Sequence, residues 1–150
     1  MQLLRRKNLT GAGGLMAAAV AVGVLAMPGQ AHAAEAAGWA AQCAKTPVVG
    51  APGVYDQRAS VWKADDPSKI AESIFRPADD RLSVRNVSGT AMQYTIQWTN
   101  ASGTAIERTW SYGVTSGTAR HMVFDIPDGR TVYTSISVGD GTVARCSGRS

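Results

Sequence analysis

One imidazole, two thiols and a scatter of carboxylates are the groups in this chain that could do chemistry. His32 falls in a segment that reads as a cleaved leader, which leaves His121 as the sole imidazole of the mature chain. A general base needs an orienting partner within about 3 Å. Asp125, four residues further along a strand, would stand roughly 13 Å away, so a local His–Asp couple is excluded. The strand pairing argued below makes Ser111 a diagonal neighbour of His121. That gives at best an exposed Ser–His couple with no oxyanion hole, and a solvated surface histidine is the plainer reading. The sequence holds no G-x-S-x-G elbow, no phosphate-binding glycine loop and no H-E-x-x-H metal helix. It therefore offers no catalytic, cofactor-binding or metal-binding residue, and no cofactor is expected.

The carboxylates Asp65-Asp66 and Asp79-Asp80 flank one uncertain segment. Converging, they could serve as the acid and base of a glycosidase or as oxygen ligands for Ca²⁺. Adjacent acids in a strand point to opposite faces, however, and Asp66-Pro67 and Pro77-Ala78-Asp79-Asp80 are better explained as turns and a helix cap.

Cys43 and Cys146 are the only cysteines. In an exported protein an even pair reads as a disulfide. Closing a loop of about 100 residues restricts the unfolded chain by roughly 4.7 kcal/mol on the chain-entropy account. A nucleophilic thiol or a metal ligand is the weaker alternative, since neither cysteine has another thiol nearby.

The aromatics carry the remaining possibility, because large rigid rings stack on sugars and anchor protein partners. Trp98 and Trp110 fall on a core parity. Trp39 and Trp62 lie outside the well-patterned region and are free to be exposed. Arg108 is the one charge on the buried parity; it either runs its stem along Tyr94 or Trp110 with its head in solvent, or lines a recognition site. Trp39, Trp62 and Arg108 are thus the candidate ligand-binding residues. Asn86-Val87-Ser88 and Asn100-Ala101-Ser102 match glycosylation acceptors but are read as turn chemistry.

The elements that would position these groups begin after the leader. Arg5, Arg6 and Lys7 precede an apolar run from Leu15 to Met27, and Ala31-His32-Ala33 offers a small-x-small cleavage site, with cleavage after Ala36 as an alternative. Thirteen apolar residues reach roughly 20 Å, short of the ~30 Å hydrocarbon core, so no stable membrane anchor is expected. Arg5-Arg6 is the pair that twin-arginine leaders carry, but Asn8 stands where they have Phe, so the export route stays open. The 150-residue chain has 15 Lys and Arg against 11 Asp and Glu, and the leader takes three of the positive charges with it. The nearly neutral remainder has no cluster of basic residues, which excludes a nucleic-acid-binding surface. Arg outnumbers Lys and Ala is abundant, as high-GC bacterial coding produces.

From Arg81 onward the pattern alternates with period two. Met92, Tyr94, Ile96 and Trp98 oppose Gln93, Thr95, Gln97 and Thr99, and Thr131 to Val138 behaves alike. Glycine-bearing turns every ten to fifteen residues mark an antiparallel meander. A turn at Asn100 to Gly103 predicts Trp98 opposite Ile106 and Tyr94 opposite Trp110. A five-residue loop from Thr115 to Ala119 then predicts Tyr112 opposite Met122 and Trp110 opposite Phe124. Val54 to Lys63 reads as a strand. For residues 67–76, Asp66 as N-cap, Pro67, and Ile70 with Ile74 one turn apart favour a short helix over a strand.

The expected fold is all-β: an immunoglobulin-like antiparallel sandwich of six or seven strands, with room for one short helix, closed by one disulfide. Residues 1–33 are the leader, 34–53 a loosely structured arm stapled by Cys43, and 54–150 the sandwich. The expected function is a secreted, extracellular, non-catalytic module that recognises a protein or a carbohydrate through loops or exposed aromatics, in the manner of protease inhibitors or wall-associated binding domains. A small secreted hydrolase or a structural envelope protein are the alternatives.

Overall fold

The structure, a computed structural model, describes residues 38–139 and 141–150; the expected leader, residues 1–33, and residues 34–37 lie outside them. Alternating inward apolar residues build nine strands: β1 (Trp39–Pro47), β2 (Tyr55–Lys63), β3 (Ile70–Arg76), β4 (Arg81–Asn86), β5 (Met92–Thr99), β6 (Ile106–Val114), β7 (Thr118–Val123), β8 (Thr131–Ser137) and β9 (Val143–Arg149). They form two antiparallel sheets, β1-β2-β3-β4-β7 and β6-β5-β8-β9. Val61, Phe75, Leu82 and Val84 of the first sheet and Met92, Tyr94, Ile96, Val132 and Ile136 of the second are buried in one core. At about 1.5–3 kcal/mol for each large apolar side chain removed from water, this shared layer holds the sheets together. The fold is the expected all-β sandwich, with more strands than the sequence suggested.

Two of the additional strands come from segments read otherwise. Residues 67–76 are not helical: Ile70–Arg76 is β3. Ala71, Ser73 and Phe75 point into the core, while Ile70, Glu72 and Ile74 lie on the outer face. A spacing of four fits one face of a helix and, being even, one face of a strand equally well. Asp66 closes a turn instead of capping a helix; its Oδ1 accepts the Ser68 amide at 3.2 Å and its carbonyl the Lys69 amide at 2.9 Å. The only helical element among the described residues is the 3₁₀ turn Pro77–Asp79. Residues 39–47 of the supposed loose arm are β1, paired along their whole length with β2.

Register differs too. Tyr94 faces Tyr112, Ile96 faces Trp110 and Trp98 faces Arg108, with a bulge between Trp98 and Thr99. The predicted partners were off by two residues, because the Asn100 loop runs to Ala105, whose carbonyl accepts the Asn100 amide at 2.9 Å. An even slip keeps parity, so the faces were right and the partners wrong. The predicted β6–β7 hairpin does not exist. Thr115 to Gly117 crosses from one sheet to the other, held by Gly117 N donating to Asn86 O at 2.7 Å and Gly89 N to Ser116 Oγ at 2.9 Å. Gly117 stands at φ +83°, open to glycine at little cost. β7 therefore pairs with β4, and Trp110 meets Phe124 across the gap between sheets, with ring centroids 6.3 Å apart.

Cys43 and Cys146 form the disulfide, with Cα atoms 5.3 Å apart. The bond joins β1, at the edge of one sheet, to β9, at the edge of the other. β9 lies close against β1 and β2, whereas β6 and β7, at the opposite edges, make no comparably close backbone approach. The sandwich is thus fastened along one side and open along the other.

Candidate functional site

A groove lies on the outer face of the first sheet, over the disulfide. Cross-strand register sets the side chains there in three rows: Ala40, Trp62 and Ile70; Gln42, Ser60 and Glu72; Ala44, Arg58 and Ile74. The small residues Ala44 and Ser60 leave a floor, and Trp62, Arg58 and Pro67 rise around it to enclose about 330 Å³. Arg58 is ion-paired with Glu72, and Arg85 approaches the other carboxylate oxygen of Glu72 at 4.0 Å. This fixes the Glu72 carboxylate, only 12% exposed, in one orientation. Beneath the floor, Cys146 Sγ lies 3.3 Å from the Arg58 carbonyl. The bridge therefore anchors β1, one of the three strands that carry the groove, to β9.

A second, smaller cleft of about 250 Å³ opens at the unfastened side, lined by Trp98, Arg108, Trp110, Val123, Phe124 and Asp125. Trp98 is buried at 6% exposure, as its parity predicted, but Trp110 is 55% exposed, contrary to the expectation that both are core. Trp110 stands on the core-facing parity of an edge strand that no facing strand covers. Phe124 bridges the two rings, its centroid 6.1 Å from Trp98 and 6.3 Å from Trp110.

The three sequence candidates do not share a cleft. Trp62 lines the outer groove and Arg108 the open-side cleft. Trp39 belongs to the core at 9% exposure, with Lys63 Nζ 5.6 Å from its ring centroid. Arg58 and Glu72 were missed as site residues; the signal was present as opposite charges on strands that pair, but it needed β3 to be a strand.

His121 does have a serine, though not the predicted one. Its Nδ1 lies 2.9 Å from Ser83 Oγ, directly across the β4–β7 ladder. Ser111 sits on the other sheet and bonds Thr95 Oγ1 at 2.8 Å. Among the described residues no carboxylate orients the His121 ring, and no group of three His, Cys, Asp or Glu side chains is arranged to hold a metal. The two Asp pairs do not converge on one site. Asp79 pairs with Arg81 at 2.8 Å, while Asp66 is held below the usual carboxylate range chiefly by the Ser68 hydroxyl. Asp80 is raised above that range, first by burial and then by Asp128, Asp125 and Asp79, although the Ile126 amide at 3.2 Å opposes the shift. Burial likewise pushes the Tyr112 phenol up to about 12. Asn86 is fully buried and both hydrogens of its amide are engaged, so it is structural and not a glycan acceptor.

No family model, curated protein or solved structure matches the chain. The functional reading therefore stands on these residues alone.

Proposed function

We propose that the chain is a secreted, non-catalytic binding module whose outer groove takes a carbohydrate. The observation that carries this reading is the Trp62 ring standing beside a fixed Arg58–Glu72 pair over a floor of small residues. A sugar ring presents an apolar C–H face and a rim of hydroxyls. The first stacks on an aromatic platform, and the second is read by planar groups that donate or accept two hydrogen bonds at once. Trp62 supplies the platform, the Arg58–Glu72 pair and Gln42 supply donors and acceptors, and the disulfide below pre-orders them, which lowers the cost of binding. Export is supported by the leader-like N-terminus and by a disulfide, which persists in oxidising compartments. His121 and Ser83 lack the third group that would make them a nucleophilic couple, so no reaction is assigned to them.

A glycan array followed by calorimetry tests the reading. Trp62→Ala is expected to weaken the best glycan at least ~10-fold while leaving the thermal midpoint close to that of the parent. Binding that is indifferent to Trp62→Ala, or no glycan bound at all, overturns it. Hydrolytic activity abolished by His121→Ala would favour an enzyme instead.

A further inference from the structure

The four sheet edges are not equally protected. β1 carries Lys45 and Pro47 and is covalently bridged, β9 carries Arg145 and Arg149, and β7 carries Arg120 beside His121. Charges and proline on an edge strand discourage another chain from adding to it. β6 concentrates its two charges, Glu107 and Arg108, at one end. From Thr109 to Val114 it reads Thr-Trp-Ser-Tyr-Gly-Val, with no charge and no proline, and Trp110 stands exposed in the middle. Its outward backbone groups have no strand to pair with among the described residues.

We propose that β6 pairs antiparallel with β6 of a second copy of this chain, making one continuous sheet of eight strands about a twofold axis through Trp110. This surface is separate from the outer groove, and the inference does not depend on the carbohydrate reading. Self-complementarity selects both the occupant and the register. A twofold axis normal to the sheet keeps each side chain on its own face, so the axis must pass through a residue. Centred on Glu107 or Arg108, like charges would oppose each other, which is destabilising. Centred on Trp110, every residue of Ile106–Val114 finds a partner. Ile106 then meets Val114, Glu107 meets Gly113, Thr109 meets Ser111, and the Arg108 guanidinium faces the Tyr112 ring, an attractive cation–π arrangement. Trp110 meets its own copy, which covers the exposed ring of the open-side cleft.

Sedimentation velocity on the oxidised mature chain, from about 5 to about 500 µM, should show a concentration-dependent shift from monomer to dimer. Trp110→Lys, which places two like charges on the axis, should raise the dimer dissociation constant at least ~10-fold with little change in thermal midpoint. Cross-linking reports the register independently of that variant. Opposed residues of an antiparallel pair have Cα atoms about 4.5–5.5 Å apart, within disulfide reach, whereas residues two positions out of step are about 8 Å apart. Thr109→Cys chains mixed with Ser111→Cys chains should therefore link efficiently, and either variant alone should not; the described chain has no free thiol to interfere. A monomer at the highest concentration overturns the proposal. So does a dimer that is indifferent to Trp110→Lys, or equal cross-linking in the mixed and single-variant samples.

Discussion

Gln57 and Gly148 show how much of a fold can rest on a pair of residues far apart in sequence. Gln57 is fully buried on the inner face of β2, and neither amide atom has a hydrogen-bond partner among the described residues. A Cβ added to Gly148 would stand 2.6 Å from its Nε2 and 2.9 Å from its Cδ. Glycine at 148 thus makes room for the side chain opposite, with no backbone angle demanding it. Gly148→Ala should cost ~1–3 kcal/mol by overpacking, and Gln57→Met should add ~1–3 kcal/mol by removing an unpaired buried amide; urea unfolding measures both. Asp80 yields a pH prediction. Its folded pKa is raised, so the folded state holds the proton more tightly than the unfolded chain, and the ionised carboxylate opposes folding above the ordinary value of 3.8. That cost is relieved as pH falls through the folded pKa. Asp80→Asn should raise the thermal midpoint at pH 7 by ~2 °C, tolerate the φ of +47° that residue 80 adopts, and confer nothing at about pH 3. Asp80 was legible as a turn residue but its partial burial was not, and nothing in the sequence links Gln57, an ordinary polar strand position, to Gly148.

Strands, by contrast, could be read from side-chain alternation, and their pairing could be read only in part. Met92 to Trp98 announced both its face and its type, because the pattern of one strand depends on burial alone. Which strands are neighbours depends on loops. β6 and β7 share an inward parity whether they pair in one sheet or face each other across two, so the Thr115–Ala119 connection gave no warning that it crosses the core. Asn86 makes that crossing possible. From the end of β4 its amide donates to Thr90 O at 2.9 Å and to Val114 O, at the end of β6, at 2.7 Å, while its carbonyl oxygen accepts from the Ser88 amide at 3.0 Å. One side chain ties both sheets together where the chain passes twice between them. Asn86→Ala leaves several buried groups unpaired and should cost ~2–4 kcal/mol in urea unfolding. Asn86→Asp should also be costly, since a carboxylate cannot donate to the two carbonyls.

For the whole molecule, two cysteines far apart in an otherwise cysteine-free chain were enough to predict the bridge, but not what it fastens. It spans 103 residues and joins edge to edge, so it seals one side of the sandwich. Replacing both cysteines by serine should cost ~2–5 kcal/mol, read as a lower urea midpoint. The exposure of Trp110 was invisible for the complementary reason: parity reports the direction a residue faces, and only the assembled layers decide whether anything stands there. The bridge also has a mechanical consequence. If the chain is tethered at one terminus and pulled at the other, tension enters at β1, passes through sulfur to β9 and leaves. Of the described residues only 38–42 and 147–150 lie outside that short circuit, so apart from Ala40 and Gln42 at its β1 margin the groove, with most of both sheets, lies off the covalent line of tension. Such a body could be tugged at both ends while most of the fold between them stays slack.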